Sequence, residues 1–122
     1  MEQREGFLIN RIKSIGFAFK GAFLLVKTEA SIQIQFVIAI IMTLAGFYWN
    51  LSATEWALQC LAIGLVMAIE GLNTTVEKLS DFVHPQKHSK IGFIKDISAG
   101  AVFIAAVTAI VVGFIIYYPK LF

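Results

Sequence analysis

The chain has 122 residues, 58% of them hydrophobic and 15% charged, against about 45–50% apolar and 25% charged in soluble domains. That is the composition of a membrane protein with room for one domain over residues 1–122. The net charge of +2 is small and indicates no nucleic-acid binding; its placement beside anionic lipid matters more than its sum. A single cysteine, Cys60, excludes an intrachain disulfide framework or thiolate metal site, and inside an apolar run it is expected to be a buried, inert thiol.

The first thirty residues carry Arg4, Arg11, Lys13, Lys20 and Lys27 in place of one short basic start followed by an apolar core. No cleavable signal peptide is expected, and the first span must direct insertion itself. Over residues 6–28, Leu8, Ile12, Ile15, Phe19, Phe23 and Val26 fall on one arc of a helical wheel. Lys13, Lys20 and Lys27 recur on the other, which predicts an amphipathic helix lying in the membrane interface. Arg11 lies beside the apolar arc and is expected to point toward protein.

The first span covers residues 30–49 and ends in Tyr48 and Trp49, an interfacial aromatic pair. The second begins near Glu55 and Trp56 and runs as one helix through "VMAIEGLNTTVEKLSDF" to about residue 83. The third covers 91–118, where Tyr117 and Tyr118 suit the interface and Pro119 is expected to stop the helix. Its Ala101, Ala105, Ala109 and Gly113 form a small-residue stripe that lets another helix approach closely. Lys and Arg concentrate in the N-terminal region and at Lys78, Lys87, Lys90 and Lys95, so both are expected on the cytoplasmic side.

The second span changes character midway. Glu70, Asn73, Thr74, Glu77 and Asp81 fall within about a 100° sector of the wheel. An ionisable group at membrane depth costs from about 2.5 kcal/mol upward and persists where it faces a bundle interior or a wet cavity; for Asp81 a solvated position beyond the membrane is an equal alternative. Carboxylates and an amide on one face make a hard-cation site, and Mg²⁺ takes one or two carboxylates plus substrate phosphate oxygens. A partly buried carboxylate also serves as general base toward a hydroxyl. Lys95 can hold phosphate, Asp96 or the loop backbone a sugar hydroxyl, and Glu29 adds a carboxylate at the same level. His84 and His88 are four apart, but Pro85 between them argues against a zinc pair. "GFAFKGA" has alanine where a phosphate loop needs lysine and is set aside, and the protein-kinase signatures are absent.

"EGLNTTVEKLSD" joined to "KDISAGAV", with "GFAFKG", Glu29 and His88, resembles the small prokaryotic lipid kinases, the membrane-embedded diacylglycerol and undecaprenol kinases. The resemblance covers nearly the whole chain. It implies an all-α integral membrane fold of three transmembrane helices and a surface helix, forming a homotrimer in the bacterial inner membrane with composite active sites at subunit interfaces on the cytoplasmic side. It also implies ATP as co-substrate and a membrane lipid alcohol as acceptor. Carried over by position, Glu70 is the general base with Asn73 beside it, and Glu29 and Glu77 are ligands for Mg²⁺ or another divalent ion. Lys95 contacts phosphate, while Asp96, Gln86, Lys87 and His88 flank the nucleoside, with Asp81 in the same nucleotide-binding set.

Arg11 and Phe17 belong to that set with departures. A family arginine falls at Asn10 in strict register, with Arg11 next door; Phe17 stands where tyrosine is often found and donates no hydroxyl bond. Gln35 replaces a glutamate of some members at the lipid end. "ATEWAL" and the "AGAV…YYPK" ending lean toward the undecaprenol type. The alternative from another class is a non-enzymatic membrane protein, an ion pathway or assembly subunit, using the same polar stripe.

Overall fold

The computed structural model describes residues 2–122, with side chains from residue 6 onward. Four helices follow in order: α1 (Glu2–Thr28), α2 (Ala30–Tyr48), α3 (Ala53–Val83) and α4 (Ser89–Leu121). The last three are long and apolar enough to cross a membrane. At 1.5 Å per residue α2 spans about 28 Å, close to the hydrocarbon thickness, while α3 at about 46 Å must extend beyond it. The polar stripe therefore occupies the second half of one unbroken helix.

The joints follow from local chemistry. Glu29 alone separates α1 from α2; it has extended dihedrals and its side chain makes no cap hydrogen bond. The α2–α3 turn passes through Asn50 at φ 52°, a left-handed conformation that asparagine tolerates better than most residues. Ser52 then starts α3 with a capping box: Glu55 N–H donates to Ser52 Oγ, and Ser52 N–H donates to Glu55 Oε1. His88 caps α4, accepting from Lys90 N–H at Nδ1 over 3.1 Å. Pro119 does not stop α4, which continues to Leu121. One turn from a helix end, its missing N–H removes a single bond, and Phe122 N–H still reaches Tyr118 O.

The closest packing is of α3 on α4; α2 lies against α3, and α1 touches α2. A tight cluster of Leu51, Ile116 and Tyr117 forms at the α2–α3 turn, with Met42, Trp49 and Trp56 around it. Tyr117 is buried there rather than interfacial. Its hydroxyl donates to Gln59 Oε1 (2.5 Å), with the Met42 carbonyl a second acceptor at 3.3 Å, and Gln59 Nε2 donates to Met42 O at 3.0 Å. Three helices are thus tied by one polar knot. Lys120 closes the same end on Glu55 at 3.1 Å.

Elsewhere the chain buries little against itself. Phe19, Phe103, Phe114 and many aliphatic side chains are exposed, as expected of faces that meet lipid or further copies. Cys60 is exposed as well, contrary to its expected burial: it follows buried Gln59 by one residue, about 100° round the helix, off the inward-facing side. In the small-residue stripe, Ala105 is buried, and Ala109 and Gly113 face a cavity of about 340 Å³ between α2, α3 and α4.

Candidate functional site

The stripe on α3 begins one turn after Val66, which lines that apolar cavity. Glu70 comes next, and its Oε2 is buried without a hydrogen-bond partner among the described residues. Asn73 donates from Nδ2 to Glu77 Oε1 over 3.3 Å, and its own Oδ1 is likewise buried and unpartnered. Such an acceptor costs about 1–3 kcal/mol, so two at one level suit a place where a ligand supplies the donors. Packing holds them there: Gly71 and Thr74 are buried, and Leu25 of α1 lies over Gly71, its Cδ1 only 3.1 Å from where a Cβ would stand.

The carboxylates sort by height along the helix. Glu29, at the α1–α2 joint, pairs with Lys78 Nζ at 3.3 Å. Glu77 is exposed and engaged by Asn73. Two carboxylates fit the donor set of Mg²⁺, which takes one or two from protein and the rest from phosphate and water; among the described residues no three such ligands cluster. Asp81, a turn further, pairs with Lys95 Nζ at 2.5 Å and links the end of α3 to the start of α4.

Beyond that pair the α3–α4 loop forms a polar hollow of about 540 Å³, lined by Asp81, His84, Gln86, Lys87, His88 and Lys95. The His84 and His88 rings meet edge-on at 5.1 Å, and His84 Nδ1 donates to Gln86 O at 2.7 Å. Asp96 is exposed and outside this lining.

Arg11 and Phe17 are not brought to the stripe. Both are exposed on α1, which packs substantially only on α2. Arg11 lies over the ring of Phe7 on its own helix, 5.1 Å from its centroid, rather than against another helix. Lys78 is the residue that the helical wheel passes over: it lies off the polar sector and reads as a solvated charge. Gln59 and Tyr117 are missed for a similar reason, each sitting in an apolar or aromatic run that hides a buried hydrogen bond.

Comparison with known proteins bears on the chemistry. Residues 16–117 match the family described as prokaryotic diacylglycerol kinase. An undecaprenol kinase of Bacillus subtilis is 34% identical over 114 residues, 93% of either chain. A diacylglycerol kinase of Haemophilus influenzae is 32% identical over 112 residues, 91% of this chain and 92% of its own. A diacylglycerol kinase of Synechocystis is 31% identical over 113 residues, 92% of this chain and 65% of its own.

Proposed function

The chain belongs to the prokaryotic diacylglycerol kinase family and is a membrane lipid kinase, and from that premise we propose how its residues divide the work. The γ-phosphoryl group of ATP passes to the primary hydroxyl of a membrane lipid at the level of Glu70. The observation that carries this is the pair of buried, unpartnered acceptors, Glu70 Oε2 and Asn73 Oδ1. Their position supports a meeting of lipid and nucleotide. The apolar cavity ends one turn before Glu70, and the polar hollow opens eleven residues after it, about 16 Å along the helix.

In the step itself, Glu70 accepts the proton of the lipid hydroxyl as its oxygen bonds to the γ-phosphorus, the bond from that phosphorus to the β–γ bridging oxygen breaks, and ADP departs. Asn73 positions the hydroxyl. Glu29 and Glu77 would hold a divalent cation, in the family's manner Mg²⁺, which would supply charge neutralisation for the phosphates. Lys95 holds phosphate, Gln86, Lys87 and His88, with Asp96, flank the nucleoside, and Asp81 belongs to the nucleotide set through its ion pair with Lys95. Arg11 and Phe17 join the nucleotide only if α1 of a neighbouring copy brings them there, which the homotrimer supplies; the extensive exposed apolar faces support such an assembly.

Glu70, Lys95 and the α3–α4 loop face the cytoplasm of a bacterial inner membrane in this reading, with α1 in the interface, because Lys and Arg gather at that end. Undecaprenol is the favoured acceptor, supported by the undecaprenol kinase of Bacillus subtilis that matches 93% of the chain. The test is the purified protein with MgATP and each lipid side by side. Phosphorylated lipid, more of it from undecaprenol and lost in Glu70→Gln, is expected; no product from either, or a Glu70→Gln variant as active as wild type, overturns the reading.

A further inference from the structure

Three ion pairs occur among the described side chains, and only one has its carboxylate tucked in and its ammonium out. Glu29 is 22% exposed and Lys78 is 70% exposed. In the Lys95–Asp81 pair the carboxylate is the exposed partner, and in Lys120–Glu55 both are held. Among the described residues Lys78 is the one side-chain partner of Glu29, whose side chain makes no cap hydrogen bond to α2. A carboxylate so placed needs a positive neighbour when nothing else neutralises it. Lys78, on a long solvated stem, loses little when it lets go.

We propose that Lys78 is an exchangeable counter-ion for Glu29, holding its carboxylate until a divalent cation displaces the ammonium. The pair holds Glu29 turned toward α3, at the residue that follows Glu77 in sequence, so that a ligand oxygen is in place before the metal arrives. It also sets a competition: every cation that binds Glu29 must first displace Lys78. Lys78 is therefore a positioning residue that tunes how much free metal the kinase requires. This rests on the reading that Glu29 and Glu77 hold the cation.

The test is electron paramagnetic resonance titration of the full protein in detergent with Mn²⁺ alone, a cation of similar oxygen preference. Lys78→Met is expected to tighten Mn²⁺ binding by about two- to fivefold, the range an ion pair with one exposed partner supports. Lys78→Arg stays near wild type. Lys90→Met, an exposed lysine of the same end that is not paired with Glu29, shifts binding less. Glu29→Gln weakens binding by about tenfold or more, in line with the dependence of cation affinity on ligand charge. If Glu29→Gln weakens binding and Lys78→Met leaves it unchanged or weaker, or Lys90→Met matches Lys78→Met, the counter-ion role is wrong while the metal site stands. If wild type and Glu29→Gln titrate alike, the metal reading fails and this proposal with it.

Discussion

The two ends of the helical bundle are built on opposite terms. At the α2–α3 turn, polar groups are matched within the chain: Ser52 with Glu55, Glu55 with Lys120, Gln59 with Tyr117 and the Met42 carbonyl. Near the α3–α4 loop, Glu70 and Asn73 leave buried acceptors unmatched among the described residues, and Glu29–Lys78 and Asp81–Lys95 are ion pairs with one exposed member each. One end spends its polar groups on holding three helices together; the other leaves them where the proposed reaction places its ligands. A polar residue in a membrane helix is thus no guide to function by itself, since Gln59 and Glu70 lie on the same helix, one hydrogen-bonded within the chain and the other with a buried oxygen that has no partner among the described residues.

Glu70→Gln breaks the comparison most sharply. Loss of the proposed general base is expected to lower kcat by about 10²- to 10⁴-fold, while replacing a half-buried carboxylate whose Oε2 has no partner among the described residues is expected to leave the melting temperature in detergent unchanged or higher. A large loss of both activity and stability would make Glu70 structural, like Gln59. Gly46→Ala is the counterpart at the closed end. A Cβ there would stand 2.5 Å from Trp56 Cη2 and 3.0 Å from Leu51 Cδ1, and a packed indole cannot yield as a flexible chain does. The expected cost is about 1–3 kcal/mol, read by thermal unfolding, with kcat per folded molecule retained.

Tyr117→Phe sharpens the same contrast at smaller scale. It removes the donor to Gln59 Oε1 but leaves Gln59 Nε2 bonded to Met42 O. Helix–helix hydrogen bonds in membrane proteins are worth about 0.6 kcal/mol on average and up to about 1.7. A modest fall in melting temperature is expected, with lipid phosphorylation and its metal dependence unaltered.

The two ends also differ in how legible they are from sequence. The three spans follow from apolar length, and the stripe from Glu70 to Asp81 follows from the 3.6-residue period, because charges at membrane depth are costly enough to be conspicuous. The continuity of α3 past Glu70 is legible for the same reason: nothing between Val66 and Val83 breaks a helix. Pairings between distant elements are not legible. Lys78 meeting Glu29 and Tyr117 meeting Gln59 depend on helix rotation and crossing, which no local pattern encodes. Cys60 shows the limit within a single helix: an apolar run says that a face meets something apolar, and lipid satisfies it as well as protein does. Pro119 shows it at an end, where the cost of a proline depends on how many bonds remain to be lost.

Asp81→Asn gives the smallest expected effect and separates two uses of one ion pair. Asp81 links the end of α3 to Lys95 on α4, but it is the more exposed partner, and such pairs contribute at most about 1 kcal/mol. If the pair were a strut, like Lys120 with Glu55, the substitution would loosen the loop and raise the KM for ATP through disorder. If it instead restrains Lys95 until phosphate arrives, releasing the lysine into the polar hollow lowers the KM for ATP with kcat and melting temperature nearly unchanged. The second outcome is expected, because Lys95 lines the hollow together with Gln86 and His88, and a freed ammonium there has phosphate as its best remaining partner. Measuring KM at low and high ionic strength checks the cause: an electrostatic gain shrinks as salt screens it, whereas a change in loop order does not.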